Sequence, residues 1–134
     1  MPKYWLCILT PENYKTVKEK LVWAVKDRHK NVIAQVKPGD KLVMYVIGEK
    51  KIKGIYEVTS ELYREETEIF WDGIFPNRVR IKPLKLNDEG IDIKELVPEL
   101  KLFKRTDAKW AEILRGRAMI ELNAEDCERI KRKI

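Results

Sequence analysis

A chain of 134 residues with 44% hydrophobic content is long enough for one real core and too apolar for a disordered segment. No apolar run approaches the ~20 residues of a membrane span, and two cysteines far apart, Cys7 and Cys127, exclude a disulfide framework. The net charge of +6 is unevenly spread: residues 1–60 hold 12 basic and 6 acidic groups, residues 61–100 hold 6 and 10, and residues 101–134 hold 10 and 6. If the two basic ends fold together, one face is positive and can attract phosphates. Charged residues reach 37%, while Ser60 is the only serine and Gln35 the only glutamine, a usage resembling that of hyperthermophile proteins. The start MPKYWLCILTPENYK lacks a small-residue cleavage site, so it reads as a first strand of a cytoplasmic, single-domain protein covering residues 1–134.

Tyr4 to Leu9 is an apolar run with the look of a buried strand. Thr10 then offers an N-cap and Pro11 a first helical position, so a helix is predicted to about Lys20, with Tyr14, Val17 and Leu21 on one face. Trp23 follows in an extended connector, and Asp27 is placed to cap a short helix with Val32, Ile33 and Val36 on its apolar side. Lys37-Pro38-Gly39-Asp40 is a turn. Lys41–Ile47 and Ile52–Thr59 read as a hairpin around Gly48–Lys51, with Gly54 marking a bulge or a close approach. Residues 60–77 look irregular and carry Phe70, Trp71 and Phe75. Arg78 to Leu86 alternates basic and apolar residues like a strand with one wet face, and Pro83 puts it at an edge or gives it a bulge. Short helices are predicted over Ile93–Val97 and Ala108–Leu114, a last strand over Ala118–Leu122, and a final helix capped by Asn123. Helices at the ends and strands in the middle favour an α+β fold over alternating βαβ units.

The usual catalytic patterns are missing. Ser60 lacks a surrounding G-x-S-x-G, and Cys7 lies in an apolar strand where a thiolate is disfavoured, so His29 has no nucleophile to serve. No P-loop or dinucleotide fingerprint occurs, and one histidine with two distant cysteines is too few for a zinc site. No cofactor, metal or catalytic residue is expected. The tryptophans carry more. Trp5 and Trp110 read as core, whereas Trp23 and Trp71 fall in irregular segments beside charged residues. Trp23 is open to two readings, a core residue or one wall of a slot about one base thick, in which stacking contributes ~1–3 kcal/mol per contact.

The stretch ENYKTVKEKLVW (12–23) resembles the start of the YTH domain, with an Asn early in the first helix and a Trp ten residues later. GIYEVTS (54–60), TEIFWDGIFPNRVRIKP (67–83) and LRGRAMIEL (114–122) match in the same order. With YWLCIL and KPGDKLVMYV added, the chain is similar over nearly its whole length to a prokaryotic EVE domain, the small PUA-like relative of YTH. The chain departs from the YTH pattern at Leu9-Thr10 and at Ala24. The resemblance implies a PUA-like pseudo-barrel, a mixed, mostly antiparallel sheet flanked by helices, and a binding module rather than an enzyme. YTH domains hold N6-methyladenine of RNA in an aromatic cage, and EVE domains are linked to modified bases such as 5-methylcytosine. By position, Asn13 would bond the base edge, Trp23 and Trp71 would be cage walls with Phe70 or Trp5 as a third, and Arg117, with Arg115, would hold phosphate. Lys26, Arg28 and Lys30 form a basic rim for the backbone, and His29 is a surface neighbour of it. The expected partner is RNA or DNA with a modified base, bound by a monomer with no role for a membrane. Two alternatives stand beside this: an ASCH-like enzyme with Lys26 or Glu57 as base in the same cleft, and an interaction partner whose slot is closed by packing.

Overall fold

The computed structural model describes residues 2–104 and 110–134. Its elements are β1 (Tyr4–Leu9), α1 (Pro11–Lys20), β2 (Val22–Val25), a 3-10 turn (Asp27–His29) leading into α2 (Lys30–Ile33), β3 (Lys41–Val46), β4 (Lys51–Val58), β5 (Tyr63–Arg64), β6 (Asn77–Asp92), α3 (Ile93–Leu96), a second 3-10 turn (Lys101–Lys104), α4 (Trp110–Leu114), β7 (Met119–Leu122) and α5 (Ala124–Lys133). The strands form one mixed sheet in the order β2-β6-β4-β3-β1-β7, with β5 also on β6, curled into a half-barrel flanked by helices. Among the described strands only β1 and β3 pair in parallel. No helix among the described residues is long and apolar enough to cross a membrane.

The α+β class and the hairpin of β3 and β4 agree with the sequence reading. So do two helix starts: Thr10 Oγ1 accepts the Asn13 N–H at 3.2 Å, and Asn123 Oδ1 accepts the Asp126 N–H at 2.8 Å. Two expectations change. Trp23 lies in strand β2, paired opposite Val79, rather than in a connector. Asp27 caps nothing: its carboxylate takes two bonds from Arg64 (2.9 and 3.2 Å) and one from Asn77 (2.9 Å), so a partner 37 residues away outcompetes the adjacent amides. These bonds hold the Asp27 carboxyl down at about 2. The start of the helix expected over Ala108–Leu114, and the core placement expected for Trp110, lie outside the described residues.

β1 separates two cores. Trp5, Cys7 and Leu9 point to the inside of the half-barrel, where Tyr14 and Val17 of α1, Met44 and Trp23 meet them. Leu6 points the other way, into a layer completed by Leu96 of α3, Ile120 of β7 and Ile130 of α5. A strand buried on both faces carries apolar side chains at successive positions, which is why LCIL has no polar alternation. Burial also pushes the Cys7 thiol well above its ordinary value. Asp40, 2% exposed, ties the turn before β3 to the start of β1: it accepts the Lys3 N–H (2.9 Å), the Trp5 indole N–H (3.2 Å) and the Lys37 N–H (3.0 Å).

Gly54 is a close-approach position. It sits where the β3–β4 register shifts, and a Cβ there would lie 2.8 Å from the Tyr14 hydroxyl and 3.0 Å from Leu86 and the Tyr56 ring. Those two tyrosines share a 3.2 Å hydroxyl–hydroxyl bond, so neither ring moves freely.

Arg78, 3% exposed, organises the segment between β5 and β6. Its Nε donates to the Phe75 carbonyl (3.0 Å), Nη1 to Glu65 (2.6 Å) and Thr67 Oγ1 (3.3 Å), and Nη2 to the Ile74 carbonyl (2.7 Å) and the Thr67 carbonyl. All five guanidinium donors are used, which only arginine can supply in one plane.

Gly54→Ala is expected to lower stability by about 1–3 kcal/mol through overpacking, read from the midpoint of urea unfolding. Arg78→Lys keeps the charge but strands several acceptors, and is expected to cost about 2 kcal/mol or more. Limited proteolysis should then cut within residues 65–76 before the rest of the chain, and an unchanged cleavage pattern would show that the clamp does not hold the loop.

Candidate nucleic-acid interface

A cavity of about 560 Å³ opens at the edge where the parallel strands β1 and β3 both end. Ile8, Tyr45 and Ile47 bring the sheet to it. Thr10 and Asn13 come from the first turn of α1, and Lys26, Arg28 and His29 from the turn after β2. Lys50 comes from the β3–β4 turn, Asp72 and Phe75 from the loop clamped by Arg78, and Arg115 and Arg117 from the turn before β7. Five connections from distant parts of the chain therefore meet at one end of the sheet. The volume falls in the range of small-molecule sites.

Asn13 is fixed by its place in the helix. It is the third residue of α1, its N–H is held by Thr10, and its side chain is 5% exposed. Its carbonyl oxygen Oδ1 is buried without a hydrogen-bond partner. A buried acceptor left unpaired costs ~1–3 kcal/mol, and the residue that carries this one lines the cavity.

The charge of the lining is one-sided. Lys26, Arg28, Lys50, Arg115 and Arg117 face a single carboxylate, Asp72. Among the described residues none of these five cations is in an ion pair, whereas Lys18, Lys41, Lys53, Arg64 and Lys101 each reach a carboxylate elsewhere. Lys26 instead stands over the Phe75 ring at 5.0 Å. The His29 imidazole is held below its ordinary value, first by burial and then by the positive charges of Arg28 and Lys26, so it is neutral at pH 7.

The aromatic groups are distributed differently from the sequence reading. Trp23 is 2% exposed and belongs to the inner core rather than the cavity lining, because pairing to β6 sets all four residues of β2 inside. Its indole N–H is buried without a partner. Trp71 is 74% exposed and also outside the lining, although its neighbour Asp72 is in it. One ring is inside and the other outside, so in this structure they do not face each other across a slot. Neither candidate for a third wall lines the cavity: Trp5 is committed to Asp40, and Phe70, 4% exposed, packs edge-on against Phe75 at 4.9 Å. Besides Tyr45 of β3, the lining aromatic that sequence reasoning passed over is Phe75. Its φ of +48° is an outlier for a bulky residue, held by the Arg78 bond to its carbonyl. The Phe-Pro dipeptide in an irregular segment was the available signal.

The structure thus brings Asn13, Lys26, Arg28, Arg115 and Arg117 to one cavity and leaves Trp23, Trp71 and Lys30 outside its lining. Glu57 is not in the cleft with Lys26 either. It lies on β4 beside Lys41 (3.1 Å) and Lys82 (3.5 Å), which hold its carboxyl below the usual range, so of the two candidate bases Lys26 lines the cavity and Glu57 does not.

Known proteins agree with this architecture. A UPF0310 protein of Pyrococcus abyssi is 43% identical over 140 residues, covering 96% of each chain. A hypothetical protein from Leishmania major superposes with a TM-score of 0.73 at 19% identity, covering 99% of this chain and 94% of that one. The YTH domain of Zygosaccharomyces rouxii MRB1, solved in complex with N6-methyladenosine RNA, superposes with a TM-score of 0.71 at 13% identity, covering 98% and 86%. The EVE domain family matches residues 3–133, and the chain belongs to that family.

Proposed function

We propose that this protein is a binding module that reads a modified, methylated base in RNA or DNA. The base enters the cavity at the end of β1 and β3, and the cations around the mouth hold the sugar–phosphate backbone. The observation that carries this reading is a cavity lined by Asn13, whose Oδ1 is buried without a partner, and by five basic side chains with no carboxylate partner among the described residues. An amino group on a base edge supplies the missing donor, and phosphates supply the missing counter-charges. Phe75 offers an aromatic face inside, with Lys26 already seated on it. Arg115 and Arg117 flank Gly116, whose φ of +74° turns the chain so that both can serve one backbone. Lys30, just beyond the lining, extends the basic rim. Trp23 is left to the core. The fold shared with a YTH domain crystallised in complex with N6-methyladenosine RNA adds support. On this reading the module acts as a monomer without cofactor.

The test is a titration of single-stranded RNA carrying one N6-methyladenosine, DNA carrying one 5-methylcytosine, and their unmodified counterparts. Wild type should prefer one modified strand. Asn13→Ala should lose that preference while keeping most of the unmodified-strand affinity. Equal binding of all strands by both proteins would rule out the base pocket. Arg117→Ala and Arg115→Ala should weaken every strand alike and each lower the slope of log K against log salt by about 1.

A further inference from the structure

The turn at residues 70–73 displays a tryptophan on a rigid support. Phe70 and Gly73 exchange both backbone hydrogen bonds, at 3.3 and 3.2 Å, leaving Trp71 and Asp72 as the two central residues. Phe70 is sunk against Phe75 below, and Arg78 holds the carbonyls of Ile74 and Phe75. The Trp71 side chain, 74% exposed, has no hydrogen bond or ring contact among the described residues, and Ile74 beside it is 43% exposed. Indoles are large apolar groups usually covered in a free protein. Here one is held at the rim of a cationic cavity, on a turn already ordered, so covering it costs little further entropy.

We infer that Trp71 stacks on the base of the nucleotide next to the one held in the cavity, so that the ligand is an unstacked strand of at least two nucleotides rather than a free nucleoside. This rests on reading the cavity as a base site. Asp72 lines the cavity and Trp71 does not, so the indole is adjacent to the entering base without enclosing it. Lys26, Arg28, Arg115 and Arg117 line the same cavity as Asp72, the residue next to Trp71, and on this inference a strand whose phosphates lie along them has its next base at Trp71. Stacking on an indole tolerates any base, so this contact adds affinity and selects for single strands without adding sequence preference. The cations of the lining, in no ion pair among the described residues, favour a polyanion over a protein as the group that covers Trp71.

Titrations with a 5′-mononucleotide, a single-stranded heptanucleotide and the same heptamer annealed to its complement test this, each with and without the preferred modification. For Trp71→Ala, affinity for the single-stranded heptamer should fall about tenfold, and that for the mononucleotide should not change. Trp71→Phe should retain most of the wild-type affinity, and the duplex should bind more weakly than the single strand. Because Trp71 is exposed, the variants should unfold at the wild-type urea midpoint. Unchanged heptamer affinity in Trp71→Ala would overturn the inference, as would an equal loss for mononucleotide and heptamer, which would make Trp71 a wall of the cavity itself. If the modified and unmodified heptamers bind alike but both need Trp71, the stacking role stands and the modified-base reading falls.

Discussion

The molecule is built around a strand that has no solvent face. β1 lies between β3 and β7 and is covered on one side by α1 and on the other by the layer of α3 and α5. Its side chains must therefore be apolar at nearly every position, and its backbone must be satisfied along both edges. Because β1 and β3 run parallel, they end together, and the connections that leave them turn away from a common edge. The cavity is the space those departing connections cannot fill. The site is thus a consequence of the parallel pairing, and the residues that line it are those that happen to begin or end a connection there.

A second constraint acts on the loop that closes this edge. Residues 65–76 have little sheet pairing of their own, and their order comes from one buried guanidinium. Arg78 lies on β6, which pairs with β2, β4 and β5, so the clamp is anchored in the sheet. The cost of placing a charge inside is offset by five acceptors in fixed positions, including the Glu65 carboxylate. Phe75 in a left-handed conformation and Trp71 exposed on a tight turn are both tolerated because the clamp over-determines the backbone between them.

Local features were readable in the sequence and distant pairings were not. Thr10-Pro11, Asn123 and Lys37-Pro38-Gly39-Asp40 signal their structures through neighbours a few residues away, and the apolar β1 announces its burial. Asn13 and the two arginines of LRGRAM could be picked out, since a family resemblance carried them to one place. Trp23 was different. Whether an aromatic in a short apolar run faces the core or a pocket depends on which strand pairs with it, and that partner, Val79, lies 56 residues on. Asp27 failed for the same reason, since its choice of Arg64 over a helix cap is settled by tertiary contact. Phe75 was visible as an aromatic in an irregular segment, but its conformation depends on a bond from Arg78 that no periodicity reports.

The cations around the cavity, which form no ion pair among the described residues, have a consequence for stability. Lys26, Arg28, Lys50, Arg115 and Arg117 are gathered by the fold at one mouth with a single carboxylate among them. Their mutual repulsion works against the compact state, whereas Lys18, Lys53 and Lys101 elsewhere are each paired with a carboxylate. The cavity is therefore a place where the chain gives up stability. Among the described residues no ion pair of these cations would have to be broken for an anion to enter, and the repulsion of like charges would be relieved on binding it rather than during folding.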